Sequence, residues 1–226
     1  HQLTDLIIMI EKDKLDVDIE SILEIFPKLK YAARTLVGEI DIYDNEDRYY
    51  SSFNIKITIP LKYPYEFPIL YESGNKIPHI IDRHIYKNGS CCVCITQEED
   101  IRCKRGITIK EFIFEYVIPF FANQIYFEVN GKWSNGDYQH GYDGVIQFYQ
   151  ELFNTKDLNI IIEGFKCYFY KRLKPYEKCF CGSNIKYKKC HLLSVYRLQE
   201  ISLDRLMEDY KFLLLTTLIC NHIEKK

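Results

Sequence analysis

The chain has 226 residues, and its 30 lysines and arginines against 32 acidic residues give a net charge of −2. Hydrophobic residues make up 47% and aromatic residues 15% of the sequence, which excludes a largely disordered chain. The near-neutral charge argues against a dedicated nucleic-acid-binding protein, because such proteins carry a clear basic excess. No apolar run is long enough to span a bilayer, so we expect no membrane association.

Cysteine usage points to chemistry rather than to disulfide cross-linking. The nine cysteines are an odd number, and two tight clusters at 91–94 and 179–190 hold most of them. Disulfide-stapled secreted domains are usually much shorter and have an even count. The first residues also lack the charged-then-apolar pattern of a secretory leader. We therefore expect a reducing, cytoplasmic compartment.

The N-terminal half is predicted to be a helix followed by an antiparallel meander. Apolar residues recur at helical spacing from residue 3 to residue 30, and Pro27 closes this pattern. Period-two alternation predicts strands at 33–45 and 49–59, with a shorter strand at 67–71.

The middle of the chain combines an irregular segment with a long helix. Residues 75–107 show few periodic signals but contain the first cysteine cluster, and long irregular segments in compact domains are usually functional. A helix is predicted at 108–129, opened by Thr108 as N-cap and kinked at Pro119. The rest of the chain is predicted to form a loop at 131–144, helices at 144–154 and 157–173, a cysteine-rich module at about 174–191 and a final helix at 194–222.

Two sequence motifs, one before the first cysteine cluster and one that contains it, follow each other in the chain. Residues 63–68 read Tyr-Pro-Tyr-Glu-Phe-Pro, and residues 82–95 read Asp-Arg-His-Ile-Tyr-Lys-Asn-Gly-Ser-Cys-Cys-Val-Cys-Ile. This order resembles the ubiquitin-conjugating enzymes, in which Tyr-Pro-x-x-x-Pro precedes His-Pro-Asn and then Asn-Gly-x-x-Cys-Leu. The resemblance covers about residues 1–155 and implies that Cys92 is the catalytic cysteine.

The family's His-Pro-Asn falls on residues 82–84, with the same eight-residue step to the cysteine, so His84 replaces the asparagine. Bacterial members of the superfamily look similar, with Arg-His in place of Pro-Asn. They also tend to carry a tryptophan, a glycine and a His-Gly pair after the long helix. Trp133, Gly136 and His140-Gly141 resemble that pattern.

The residue chemistry supports the same interpretation. A thiol on an accessible turn is already strongly nucleophilic as the small thiolate fraction present at neutral pH. A neutral His84 side chain can donate a hydrogen bond to an oxyanion, as an asparagine amide does, and it can also act as a base.

Several alternatives remain open at this site. Cys92 could be a buried, inert side chain, and Cys91 or Cys94 could be the nucleophile instead. His84 could be structural, and a structural or exposed role is the stronger expectation for His140. A metal site formed by the three clustered cysteines is sterically poor.

The second cysteine cluster has a dense and distinctive pattern, in which residues 179–191 read Cys-Phe-Cys-Gly-Ser-Asn-Ile-Lys-Tyr-Lys-Lys-Cys-His. This pattern resembles the SEC-C motif, named for the C-terminus of the SecA translocation ATPase. Three thiolates and one imidazole form a closed tetrahedral zinc site of the structural type, which leaves no open position for substrate. We predict that this site binds zinc and that zinc contributes folding energy to the module. The predicted metal ligands are Cys179, Cys181, Cys190 and His191.

Lysines 186, 188 and 189 form a basic edge on this module, which is either a solvated face or a docking site for a partner.

These observations predict an α+β fold of the ubiquitin-conjugating type over residues 1–155. A helical extension with the SEC-C module follows at 156–226. The resemblance implies a cysteine transferase that carries a ubiquitin-like modifier as a thioester and transfers it to an amine. Its implied partners are an adenylating, activating-type enzyme, the modifier and a target protein, often in bacterial antiviral defence, with no nucleic acid and no membrane. The alternative is a catalytically inactive binding module of the same fold. A zinc-dependent hydrolase is disfavoured because the best metal site is saturated by protein ligands.

Overall fold

The computed structural model describes the backbone of residues 2–44, 46–134 and 141–223, and the side chains of 14–44, 46–134 and 141–219. The chain divides into two compact units, unit 1 (His1–Asp137) and unit 2 (Tyr138–Lys226). Sequence analysis puts the boundary at residue 155, and the difference is one helix, Gly141–Phe153. This helix belongs to unit 2 because the Tyr149 hydroxyl donates a 2.7 Å hydrogen bond to Asp209 and its ring packs on Phe165.

Unit 1 begins with a helix and a four-stranded antiparallel sheet in the order β1-β2-β3-β4. This arrangement confirms the predicted helix followed by a meander. The elements are α1 (Gln2–Ile25), β1 (Leu29–Ala32), β2 (Thr35–Tyr43), β3 (Tyr49–Thr58) and β4 (Ile69–Glu72).

Strand β1 is absent from the sequence prediction, in which Leu29 and Lys30 belong to the end of the N-terminal helix and Tyr31 and Ala32 to no element. The helix ends at Ile25, before Pro27, and β1 then pairs with β2 from Leu29–Gly38 to Ala32–Thr35. The two-residue turn between the strands places Ala33 and Arg34 at positive φ, the backbone geometry of tight hairpins.

The core of unit 1 lies against one face of the sheet. Alternate residues of β2 and β3 are buried there, and the rings of Phe53 and Phe121 stack 4.4 Å apart. Burial of this apolar face supplies the main stabilisation, at about 25 cal/mol per Å² of apolar surface. The core also includes Ile19, Ile22, Leu36, Ile40, Ile55, Ile57, Phe112 and Val117.

The segment after the sheet contains more helix than predicted. A 3₁₀ turn (Ile81–Arg83) and α2 (Thr96–Lys104) lie within the stretch expected to be irregular. Thr108 opens the next helix through a reciprocal capping box with Glu111, as its N-cap role predicts. This helix comprises α3 (Ile109–Phe112), a π-helical stretch (Ile113–Val117) and α4 (Ile118–Asn130).

The π-helical stretch is explained by Pro119, which has no N–H to donate and whose ring crowds the carbonyl four residues earlier. In the π-helical stretch directly before the proline, backbone hydrogen bonds span five residues instead of four. This wider spacing relieves the clash between the ring and the carbonyl.

Unit 2 is helical around the cysteine-rich module. Its elements are α5 (Gly141–Phe153), α6 (Leu158–Lys166), a π-helical stretch (Cys167–Lys171), a 3₁₀ turn (Tyr187–Lys189), α7 (Leu192–Arg197), a 3₁₀ turn (Leu198–Glu200) and α8 (Leu203–Ile223). The predicted final helix is thus two helices, because Ile201 is extended and buried between them. Gly164 permits close packing of α6 on α5, since a Cβ there would lie 2.2 Å from the Phe153 ring. None of the described helices has the length and apolar content needed to cross a membrane.

Candidate functional sites

The first cysteine cluster lies on a short β-hairpin formed by residues 84–92, the 84–92 hairpin. Tyr86 N–H donates to the Ser90 carbonyl at 2.9 Å, and Cys92 N–H donates to the His84 carbonyl at 2.8 Å. Asn88 stabilises the turn by accepting a hydrogen bond from Ser90 N–H on its side-chain oxygen, at 3.0 Å. The hairpin therefore brings the two predicted site residues, His84 and Cys92, into direct backbone contact.

The hairpin is attached to the sheet along β4. Cys91 N–H donates to the Leu70 carbonyl at 2.8 Å, and Glu72 N–H donates to the Gly89 carbonyl at 2.9 Å. Gly89 has φ +81°, and a Cβ there would lie 3.0 Å from the Glu72 carbonyl oxygen and 3.2 Å from the His79 ring. Only glycine fits this turn without displacing its neighbours.

A buried carboxylate lies beneath the same turn. Glu72 accepts hydrogen bonds from Gly74 N–H at 2.9 Å and Lys76 N–H at 3.3 Å through one oxygen. Its other oxygen lies 2.9 Å from His79 Nε2. Sequence analysis assigned no role to His79, and the structure gives it a structural one beside the hairpin.

Arg83 ties the start of the hairpin to helix α4. Its side chain is buried, with Nε donating to Gln124 Oε1 at 2.9 Å and Nη1 donating to Glu128 Oε1 at 2.6 Å. Gln124 Nε2 donates back to the Arg83 carbonyl at 2.8 Å, and the guanidinium lies 4.6 Å from the Phe127 ring centroid. Sequence reasoning missed these contacts because the partners are more than 40 residues away and no local spacing relates them.

His84 is held in a left-handed conformation against an aromatic pair. Its φ is 53°, and its ring meets the Trp133 ring edge-on at 5.0 Å between centroids. Trp133 in turn packs against Phe127 at 4.6 Å. The structure therefore places the only tryptophan beside His84. Of the other residues of the predicted loop pattern, Gly136 and His140 lie outside the described residues, and Gly141 is the first residue of α5.

The three thiols near the hairpin differ in how their surroundings act on them. Burial raises the pKa of Cys91 to about 12 and that of Cys94 further still. Burial also raises the pKa of Cys92, but a hydrogen bond with the Tyr86 hydroxyl acts in the opposite direction. All three side chains are partly exposed. Before any substrate binds, Cys92 is therefore a protonated thiol at neutral pH. The Tyr86 hydroxyl is in place to donate a hydrogen bond when the thiolate forms.

The second cysteine cluster has the geometry of a metal site. One ligand atom from each of Cys179, Cys181, Cys190 and His191 lies within 4.8 Å of the others. His191 Nδ1 lies 3.3 Å from Cys179 Sγ and 3.2 Å from Cys190 Sγ. These four residues, the metal cluster, can hold a metal ion such as zinc. Throughout the described ranges, no other group of three or more potential ligands converges in this way, so the cysteines at 91–94 do not form a second site.

Neighbouring groups orient the metal cluster. His191 Nε2 lies 3.1 Å from the Phe153 carbonyl, so Nε2–H donates there and leaves Nδ1 free to bind the ion. Burial opposes ionisation of Cys181, but hydrogen bonds from Ser183 and the adjacent thiols lower its pKa to about 6. Gly182, at φ +79°, makes the turn between the two halves of the motif. Burial raises the pKa of Cys179 to about 12, so Cys181 is the thiol that its surroundings favour as a thiolate before a cation binds.

Comparison with known families supports this assignment. The SEC-C motif matches residues 177–193, which include all four members of the metal cluster. No curated protein and no solved structure is significantly similar to the chain.

Proposed function

We propose that the protein is a conjugating enzyme that carries a ubiquitin-like protein as a thioester on Cys92 and transfers it to an amine. The observation that carries the proposal is the 2.8 Å hydrogen bond from Cys92 N–H to the His84 carbonyl. This bond joins the two site residues implied by the family resemblance, which lie at the two ends of the 84–92 hairpin. A helix followed by a four-stranded meander before this hairpin is also the order expected of that family.

The chemistry takes place in two acyl transfers. In the first, the Cys92 thiolate attacks the thioester carbonyl of the charged activating enzyme, a new C–S bond forms, and the activating enzyme's thiolate leaves. In the second, an amine nitrogen attacks the Cys92 thioester, the amide bond forms, and Cys92 leaves as a thiolate. The amine loses one proton in this step, and each step passes through an oxyanion.

His84 is the residue we assign to the second transfer. As a neutral imidazole it can donate one hydrogen bond to the oxyanion, or it can accept the proton lost by the amine. Its left-handed backbone, the Trp133 ring and the attachment of Arg83 to α4 restrict where the imidazole can point. Such restriction is useful because a catalytic donor must be in place before charge develops.

We assign a structural role to the metal cluster and infer that its ion is zinc. Three thiolates and one imidazole suit zinc and fill a tetrahedral shell, so no position remains for a substrate or a reactive water. The surrounding segment has few apolar residues of its own, and metal binding would supply much of its folding free energy.

A second candidate function is a catalytically inactive module that binds a modifier or a partner. The observation that favours it is the raised pKa of the Cys92 thiol, caused first by burial, which leaves little thiolate at neutral pH. The absence of His-Pro-Asn points in the same direction. Retention of a partly exposed cysteine with a hydroxyl donor beside it favours the enzyme.

An adduct assay separates the two functions. The full chain is incubated with ATP, an adenylating enzyme and the ubiquitin-like protein which that enzyme activates, and the intact mass of the chain is measured with and without reducing agent. We expect a mass increase equal to the modifier that reducing agent removes. The adduct should be lost in Cys92→Ala and kept in Cys91→Ala, the matched control one residue away.

Persistence of the adduct in Cys92→Ala would move the thioester to Cys91 or Cys94. Absence of any adduct, when the activating enzyme is shown to charge itself, would favour the binding module.

A further inference from the structure

We propose that unit 2 carries a docking site for an acidic polypeptide segment, which inserts one apolar side chain into a cleft beside the metal cluster. The site does not depend on the conjugating activity proposed above. It is distinct from the 84–92 hairpin, and its residues all belong to unit 2.

Charge is the first observation. Residues 166–191 contain eight lysines and arginines and one acidic residue, Glu177, a net charge of +7 in a chain whose net charge is −2. A divalent ion held by three thiolates lowers this value by only one. The remainder of the chain has 30 − 8 = 22 basic and 32 − 1 = 31 acidic residues, a net charge of −9, so this segment differs in sign from the rest.

Most of this positive charge is available to a partner. Lys166 and Lys171 both pair with Glu163. The other six cations are exposed and form no ion pair with any acidic side chain in the described part of the chain; these are Arg172, Lys174, Lys178, Lys186, Lys188 and Lys189. Backbone hydrogen bonds bring the two basic stretches together, since Lys188 N–H donates to the Pro175 carbonyl at 2.9 Å.

A cleft of about 210 Å³ lies beside these cations. Arg172 contributes to its lining and lies at the end of the π-helical stretch, where its left-handed backbone ends the helix. The walls come mainly from aliphatic and tyrosine side chains, including Tyr168, Leu173, Leu192, Val195 and Tyr196. Sites for whole small molecules occupy about 300–1,000 Å³, so this cleft is the size of a single side chain.

The surroundings of the cleft favour a polypeptide over other anions. Leu193 and Tyr196 are exposed on α7, and Tyr176 is exposed beneath the Lys188 ammonium. Mixed aliphatic, tyrosine and cationic surfaces are typical of protein contacts, whereas single-stranded nucleic acids stack on flat aromatic platforms. An anionic bilayer would contact exposed side chains such as Leu193 but would leave the cleft unfilled, whereas a polypeptide can also place a side chain in the cleft. An acidic segment with one phenylalanine or leucine can pair its carboxylates with the lysines and place its apolar side chain in the cleft.

The proposal is tested with the metal-loaded full chain and a fluorescein-labelled peptide of ten aspartates and glutamates interrupted by a central phenylalanine. Binding is followed by fluorescence anisotropy at 50 and 300 mM salt. We expect saturable binding that weakens with salt. Replacing the phenylalanine of the peptide by serine should weaken binding at least tenfold, since burying such a side chain contributes about 1.5–3 kcal/mol.

Variants locate the site. The double change Lys186→Glu and Lys189→Glu should weaken binding about tenfold or more, and Tyr196→Ala should remove most of the difference between the phenylalanine and serine peptides. Lys211→Glu, an exposed charge reversal in the same unit but outside the basic segment, should change affinity less than twofold. Unchanged metal content in each variant shows that the module is still folded.

Three results would overturn the proposal. One is equal affinity for the phenylalanine and serine peptides, and another is no binding below millimolar peptide at 50 mM salt. The third is tighter binding of an oligouridylate of equal charge, or of phosphatidylglycerol vesicles, than of the phenylalanine peptide. That result would assign the basic segment to a nucleic acid or to a membrane surface instead.

Discussion

The two cysteine clusters differ in how their sulfur atoms are arranged and in what surrounds them. At 91–94 the thiols are carried on a hairpin, burial raises their pKa values, and their sulfurs do not converge on a common point. In the metal cluster the ligand atoms lie within 4.8 Å of one another, and Ser183 helps to lower the pKa of Cys181. Both places contain a Cys-x-Cys pair, at 92 and 94 and at 179 and 181, but only the second is joined by a distant Cys-His pair at 190 and 191. The difference comes from that second pair and from the hydrogen-bond donors around each sulfur.

This difference separates two kinds of chemistry. A converged set of thiolates binds a cation and becomes inert, because each sulfur is shared with the ion. A single thiol on a turn keeps its nucleophilicity and needs only a local donor and access for its substrate. We therefore expect changes in one region to leave the chemistry of the other intact.

The largest effect is expected from breaking the metal cluster. Cys190→Ser removes one of four ligands, and structural zinc contributes about 10–16 kcal/mol of apparent binding free energy in small zinc modules. Metal content measured by atomic emission should fall to near zero, and amide hydrogen exchange should become fast across 177–193. The control is Cys167→Ser, a buried cysteine of the same unit outside the cluster, which should keep its metal. Retained metal in Cys190→Ser would contradict the ligand assignment.

Changes at His84 should have the next largest effect, and only on transfer chemistry. Removing one oxyanion donor typically costs about 10²–10³-fold in rate. His84→Ala should therefore slow discharge of the Cys92 thioester to lysine by that factor, while the amount of thioester formed stays the same. His84→Asn restores a donor and should recover most of the rate.

The asparagine variant also separates the two roles of His84. Rates are first divided by the fraction of lysine that is deprotonated at each pH, since only the neutral amine attacks. A pH dependence that remains in wild type and is absent in His84→Asn would then show that the imidazole acts as a base. Equal discharge rates in wild type and His84→Ala would remove His84 from the site.

Arg83→Met tests whether the first site depends on its attachment to α4. The substitution leaves Gln124 Oε1 without its donor, and an unsatisfied buried group costs about 1–3 kcal/mol. We expect a lower midpoint of unit 1 unfolding and a change in the fluorescence of Trp133, the only tryptophan. Lys62→Met, at an exposed position of unit 1, should change neither. Metal content should be normal in both variants.

Tyr86→Phe should have the smallest effect. The hydroxyl opposes the rise in the pKa of Cys92, so its loss raises that pKa further and reduces the thiolate fraction at any pH below it. A hydrogen bond of about 0.5–1.5 kcal/mol corresponds to a two- to tenfold slower reaction of Cys92 with iodoacetamide at pH 8. The rate should rise about tenfold per pH unit below the pKa in both proteins. An unchanged rate would mean that Tyr86 does not act on the thiol.

The sequence predicts some of these features because they are local. The alternation of Phe53, Ile55 and Ile57 specifies which face of β3 is buried, and the four metal ligands lie within 13 residues. Strand β1 could not be recognised because four residues carry little periodicity, and its existence depends on pairing with β2. The anchoring of Arg83 was equally hidden, since its partner Gln124 is 41 residues away.

The most direct test of the two-cluster account is the order in which the cysteines react in the metal-loaded protein. The chain is treated with iodoacetamide at pH 8.5, and each described cysteine is followed by peptide mass spectrometry over time. The account predicts that Cys92 is modified ahead of Cys91 and Cys94, and that Cys179, Cys181 and Cys190 are protected until a chelator is added. Modification of the metal cluster before Cys92, or an unreactive Cys92 beside a reactive Cys91 or Cys94, would contradict it.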